Sequence, residues 1–82
     1  MTIGEEIRED IRKTLRDARR TGNAVVPCTT LWDVVGKRRS VSDPYYGRYK
    51  LVLSELLRTA SIRLHKDEDG RPRGFELLER RH

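Results

Sequence analysis

The chain of 82 residues has no glutamine, one asparagine and one cysteine. The scarcity of cysteine excludes two kinds of site. A lone Cys28 cannot build an intramolecular disulfide framework. Together with His65 and His82 it supplies too few ligands for a four-ligand zinc site. We therefore interpret Cys28, which follows Pro27, as a small buried hydrophobic residue, and expect neither a metal nor another cofactor.

Long apolar runs are also missing. None approaches the roughly 18 residues that a membrane-spanning helix needs. Glu5 and Glu6 stand where a secretory signal would carry basic residues. We expect a protein that is neither secreted nor embedded in a membrane, and that lies in the cytoplasm: associated with the nucleoid if it is cellular, or in the host cytoplasm if it is viral.

Catalytic motifs are absent as well: the chain has no P-loop, G-x-G-x-x-G turn, nucleophile elbow or H-E-x-x-H helix. Adjacent carboxylates occur at Glu5/Glu6 and Glu9/Asp10, but arginines surround them on a helical pattern, which is typical of a solvated face. The sequence therefore favours a protein that is not an enzyme.

Positive charge is abundant and concentrated. The formal net charge is +5, yet residues 37–66 alone hold eight lysines and arginines against two acids, a net +6. Such a local excess indicates a surface that binds a polyanion. Arginine outnumbers lysine fourteen to four. Together with the scarcity of amides, this fits a thermophilic source or a GC-rich genome, and it leaves a viral origin open.

The first element is a helix over residues 3–21. Its apolar positions recur every three or four residues and form one stripe, comprising Ile3, Ile7, Ile11, Leu15 and Ala18. Gly22 and Asn23 supply the C-terminal cap. Because the stripe is narrow, it can face either the protein's own core or a second copy in a homodimer.

A short strand over 24–28 and a short helix over 30–36 follow. The strand is β-branched and contains Pro27, which suits an edge position. Thr29 or Thr30 can cap the helix, and Gly36 can end it.

A longer helix over 44–59 begins at Ser42-Asp43-Pro44. Its predicted core side consists of Tyr45, Tyr49, Val52, Leu53, Leu56, Leu57 and Ala60, and its opposite side of Gly47, Leu51, Ser54 and Arg58. A glycine inside a helix costs about 1 kcal/mol relative to alanine. Either the helix proper begins after Gly47, or the backbone comes close to something there.

Residues 61–79 alternate in polarity as a two-stranded hairpin does, with Asp69-Gly70 as the turn signal. The fold class predicted for the whole chain, 1–82, is therefore a single α+β domain of three helices, a short strand and a C-terminal hairpin.

This order of elements resembles the winged helix-turn-helix family over about residues 5–79. The resemblance implies that helix 44–59 enters the major groove of double-stranded DNA and that residues 66–74 form the tip of a wing on the flanking backbone or minor groove. It implies a small transcription regulator. The DNA-binding residues expected on this basis are Lys37, Arg38, Arg39, Tyr46, Arg48, Lys50, Ser54, Arg71 and Arg73.

Two features favour an alternative, a winged-helix module that binds a protein in a transcription, replication or viral assembly. Asp67, Glu68 and Asp69 place negative charge beside the wing arginines, where phosphates would be repelled. Leu51 lies on the open side of its helix and suits a protein contact as well as a thymine methyl group. RNA binding is a third hypothesis.

Overall fold

Three helices and three strands make up the computed structural model, which describes residues 2–37 and 43–78. In chain order they are α1 (Ile3–Arg20), β1 (Val25–Pro27), α2 (Cys28–Lys37), α3 (Asp43–Arg58), β2 (Ile62–Lys66) and β3 (Pro72–Leu77). The strands form one antiparallel sheet in the order β1-β3-β2. The α+β class is therefore confirmed.

Helix α1 is capped at both ends by local chemistry. The hydroxyl of Thr2 accepts a hydrogen bond from the backbone N–H of Glu5 at 3.2 Å, which satisfies one of the free donors of the first turn. At the other end Gly22 adopts φ +90°, a left-handed conformation that glycine tolerates best, and so ends the helix as predicted.

The apolar stripe of α1 lies in the protein's own core. Ile7, Ile11 and Leu15 are completely buried, whereas Ile3 is 45% exposed. The other buried hydrophobic residues come from every remaining element: Val26, Leu31, Val35, Tyr49, Val52, Leu56, Ile62, Phe75 and Leu77. Intramolecular packing thus covers three of the four main residues of the predicted homodimer contact, and the structure gives that contact no support.

Strand β1 is shorter than predicted and runs directly into α2. It pairs with β3 alone, so the predicted edge position is confirmed. Its pairing ends at Pro27, opposite Gly74, and α2 begins at the next residue. Thr29 and Thr30 therefore lie inside the first turn instead of capping it, and the helix passes through Gly36 to end at Lys37.

Helix α3 is continuous through Gly47, which excludes the first of the two alternatives, a helix that starts after this glycine. A Cβ built at Gly47 meets no described atom within 4 Å, so nothing in that part of the chain approaches the backbone there. The predicted core residue Ala60 is exposed, which corrects that prediction. It lies beyond the end of α3 with φ +58° and turns the chain into β2.

The hairpin alternates as predicted, within the bounds of β2 and β3. Ile62 and Leu77 face each other across the strands, and both are buried together with Phe75. On the other side of β3, a Cβ at Gly74 would lie 2.5 Å from the carbonyl oxygen of Val26. Glycine is therefore required where β1 and β3 approach each other.

Candidate nucleic-acid interface

The outer face of α3, defined here as Gly47, Leu51 and Ser54, points away from the core. Tyr49, Val52 and Leu56 on the opposite side of the helix are buried, which fixes the rotation of the helix about its axis. Leu51 is 63% exposed and Ser54 is exposed as well. The centre of this face thus consists of a backbone position, an isobutyl group and a hydroxyl group, and exposed Arg58 follows on the same side in the last turn of the helix.

One flank of the outer face lies next to α1 and carries Arg48. A Cβ built at Gly4 would lie 3.9 Å from Cδ of Arg48, so the arginine stem passes over the first turn of α1. Farther along the same flank, Arg8 Nη2 and Glu55 Oε1 form an ion pair at 2.7 Å that joins α1 to α3. The Arg48 side chain remains exposed.

The other flank lies next to α2 and carries Lys50. Its Nζ is 5.0 Å from the ring centroid of Tyr46, which places an ammonium group over an aromatic face. Tyr46 is 43% exposed, and its ring meets Trp32 of α2 edge-on, with centroids 4.8 Å apart. Trp32 in turn packs against buried Tyr49 at 4.7 Å. These contacts hold Tyr46 and Lys50 in a defined position.

Below this flank is a shallow cavity of about 260 Å³. Its lining is largely apolar and consists of Cys28, Thr29, Trp32, Tyr46, Tyr49, Lys50, Leu53 and Phe75. Burial raises the pKa of the Cys28 thiol above its ordinary value, although a backbone hydrogen bond acts in the opposite direction. The thiol packs against the core, which agrees with its interpretation as a hydrophobic residue.

The hairpin between β2 and β3 presents Arg71 and Arg73, both exposed. Its turn is organised by Asp67, whose Oδ1 accepts hydrogen bonds from the backbone N–H groups of Asp69 at 3.0 Å and Arg71 at 2.9 Å. Gly70 is in the turn with φ +80°, as its position after Asp69 predicted. The carboxylate of Asp67 thus stabilises the turn.

A side-chain contact joins the two strands at the base of the same hairpin, and Phe75 packs the hairpin against the core. Nε2 of His65 and Oε1 of Glu76 are 2.8 Å apart across the two strands. Phe75 reaches the cavity beside α3. Since a strand rises about 3.3 Å per residue, Arg73 and Arg71 lie roughly 7 and 13 Å from Phe75 along the chain.

The structure thus brings together some of the predicted DNA-binding residues. Tyr46, Lys50 and Ser54 share α3 with Arg48, which lies on the opposite flank, while Arg71 and Arg73 are on the hairpin. Lys37 is the last residue of α2. Arg38 and Arg39 lie outside the described residues, so their predicted phosphate contacts stay predictions.

Sequence reasoning missed the structural roles of two residues that shape this surface. The contact between Trp32 and Tyr46 joins residues on different helices, and no local sequence pattern predicts it. Asp67, by contrast, had a detectable signal, because aspartate often accepts hydrogen bonds from backbone N–H groups a few residues further along a turn.

Within residues 2–37 and 43–78, no group of three or more histidine, cysteine, aspartate or glutamate side chains could hold a metal ion. No helix in these ranges is long and apolar enough to cross a membrane. No protein-family model, curated protein or solved structure matches the chain.

Proposed function

We propose that this protein has the winged helix-turn-helix fold and binds double-stranded DNA as a small transcription regulator. In this proposal α3 lies in the major groove, and the β2–β3 hairpin is the wing that contacts the flanking backbone or minor groove. The element order and the three-stranded sheet are compatible with this fold.

The observation that carries the proposal is the distribution of charge around α3. Arg48 and Lys50 are exposed on opposite flanks. Between them lie the uncharged Gly47, Leu51 and Ser54, and exposed Arg58 continues this side at the C-terminal end of the helix. The major groove has the matching arrangement, because two phosphate backbones border a floor of base edges. A helix about 10–12 Å across fits a groove about 12 Å wide.

The hairpin supports the proposal in spite of its acids. Of Asp67, Glu68 and Asp69, the first is required by the turn, since its carboxylate accepts two backbone hydrogen bonds. A neutral residue without an acceptor would leave those N–H groups to water. The exposed Arg71 and Arg73 then supply the positive charge that phosphates attract.

The second candidate function is a module that docks on an acidic protein. The specific observation in its favour is Leu51, which is 63% exposed on the same face as the flanking cations. Glu68 and Asp69 on the hairpin also disfavour contact with phosphates. The two functions make opposite predictions for nucleic-acid affinity at physiological salt.

The decisive experiment is a fluorescence-anisotropy titration with a mixed-sequence 30-base-pair duplex, repeated across a salt series. Each phosphate contact lowers the slope of log affinity against log salt by roughly 0.9. If Arg48, Lys50, Arg71 and Arg73 all contact phosphates, we expect a slope of about −3 to −4 with micromolar or tighter binding. Absence of binding at low salt would contradict the proposal and favour the protein partner.

The double variant R48E/K50E tests which surface binds. Two charge-assisted contacts at about 1.5 kcal/mol each correspond to a loss of roughly 100-fold, and reversal of the charge adds repulsion. We therefore expect binding to disappear while the circular-dichroism spectrum stays unchanged.

A matched control is K13E/R20E, which changes the net charge equally. Lys13 and Arg20 are exposed on the side of α1 that faces away from its buried stripe. This variant should keep most of the affinity. If both double variants lose affinity equally, net charge and not the outer face of α3 governs binding.

A further inference from the structure

We propose that Leu51 recognises the C5-methyl group of thymine in the major groove, so that the protein prefers sites containing A·T pairs. This inference rests on the proposed function, because it assigns a base preference to the same surface.

The position and exposure of Leu51 favour direct contact with the floor of the groove. It is at the centre of the outer face and is the most exposed large hydrophobic residue of the described chain, at 63%. Gly47 lies one turn earlier, and its Cα carries no side chain that would hold the face away from a partner. The isobutyl group can therefore approach the floor of the groove closely.

The outer face lacks the amide side chains that recognise adenine. Asparagine and glutamine recognise adenine through paired hydrogen bonds, but the chain has no glutamine, and its one asparagine, Asn23, follows α1. The basic residues Arg48 and Lys50 are on the flanks, where phosphates would lie. Arg58 lies on the same side one turn beyond Ser54, at the end of the helix, so the centre of the face offers an apolar group and the hydroxyl of Ser54.

The thymine methyl is the apolar group that a base pair exposes in the major groove. Leu51, with Arg48 and Lys50 on either side, matches a major groove that has a methyl group on its floor and phosphates at its borders.

The test compares duplexes that differ only in this methyl group. A 30-base-pair alternating A·T duplex offers methyl groups in every register, and replacing thymine by uracil removes them without altering base pairing. We expect wild-type affinity, measured by anisotropy at fixed salt, to fall about four-fold for each methyl group contacted, the factor that corresponds to burial of one such group. An alternating G·C duplex should gain affinity when its cytosines carry a 5-methyl group.

Two variants show whether Leu51 is responsible. L51A should bind the thymine and uracil duplexes equally, because the isobutyl group is missing. V34A removes another exposed apolar side chain, from α2, and should keep the wild-type ratio.

The outcomes distinguish this inference from the function on which it rests. Tight, salt-dependent binding with equal affinity for the thymine and uracil duplexes would overturn the inference and leave DNA binding intact. An unchanged thymine preference in L51A would also overturn it. Failure to bind any duplex would refute the proposed function and the inference with it.

Discussion

Two residues in left-handed conformation end two of the helices with the same pattern of hydrogen bonds. After α1, the N–H groups of Gly22 and Asn23 donate to the carbonyls of Arg19 and Ala18 at 3.3 and 3.0 Å. After α3, the N–H groups of Ala60 and Ser61 donate to Leu57 and Leu56 at 3.1 and 2.9 Å. Both are Schellman motifs, but only the first has the glycine that this motif favours.

Ala60 therefore destabilises the C-terminal end of α3. A left-handed conformation costs a residue with a Cβ roughly 1 kcal/mol relative to glycine. We expect A60G to raise the free energy of unfolding by about 0.5–1 kcal/mol, even though glycine increases the entropy of the unfolded chain. The measurement is the midpoint of urea unfolding.

The reverse substitution at the equivalent site is the matched control. Gly22 has φ +90° and open space around its Cα, so G22A should lower the free energy of unfolding by about 1 kcal/mol through backbone strain alone. If A60G destabilises the protein, the left-handed conformation of Ala60 is not the source of strain that we infer.

At the scale of the element, the hairpin combines a structural requirement with an electrostatic cost. The side-chain oxygen of Asp67 holds the turn, but its negative charge lies beside Arg71. Asparagine has the same acceptor oxygen without the charge. The two roles of Asp67 can therefore be separated by substitution.

We expect D67N to keep most of the stability, whereas D67A loses about 1 kcal/mol because both backbone N–H groups lose their acceptor. If the hairpin contacts phosphates, D67N also binds DNA about two-fold more tightly at low salt, since one repulsive charge is removed. Urea unfolding and the anisotropy assay measure these effects.

D17N makes the same change of charge at an exposed position on α1 and should leave the affinity nearly unchanged. Equal gains from D67N and D17N would mean that the hairpin is remote from the bound DNA.

Elements with a local signal were predictable from the sequence. The stripe of α1, the Asp43-Pro44 start of α3 and the alternation of β2 and β3 each depend on neighbours within a few residues, and all three are present. The pairing of Val26 with Phe75 joins residues almost fifty positions apart, and the ion pair of Arg8 with Glu55 spans 47. No periodicity encodes such contacts.

For the candidate site, helical geometry alone placed Leu51 and Ser54 on the outer face and Tyr49 in the core, and the structure agrees. It could not show that Tyr46 is supported by Trp32, because the angle between two helices decides that contact. Nor could it assign the stripe of α1 to the core in preference to a partner, since both would bury the same residues.

At the scale of the whole molecule, α1 is the element around which the core is organised. Helix α1, with its buried residues Ile7, Ile11 and Leu15, packs against both other helices and against strands β1 and β3. In so small a chain, this single stripe supplies a large share of the core. Its loss should therefore affect folding as a whole and not one surface.

An internal core and an interface between two copies can be distinguished by a substitution in the buried stripe of α1 and by the concentration dependence of unfolding. Ile11 is completely buried, so I11A should lower the free energy of unfolding by about 2–4 kcal/mol through lost burial and a cavity. Because the packing is intramolecular, the midpoint of thermal unfolding should be independent of protein concentration for the wild type and for any I11A protein that still folds. Folding coupled to dimerisation would instead raise the midpoint as concentration increases. A midpoint that rises as the protein concentration is raised from about 1 to about 100 µM would show that the fold depends on a second copy. R63A, at an exposed position on β2, should change neither the stability nor its concentration dependence, and it controls for effects of mutation at the surface.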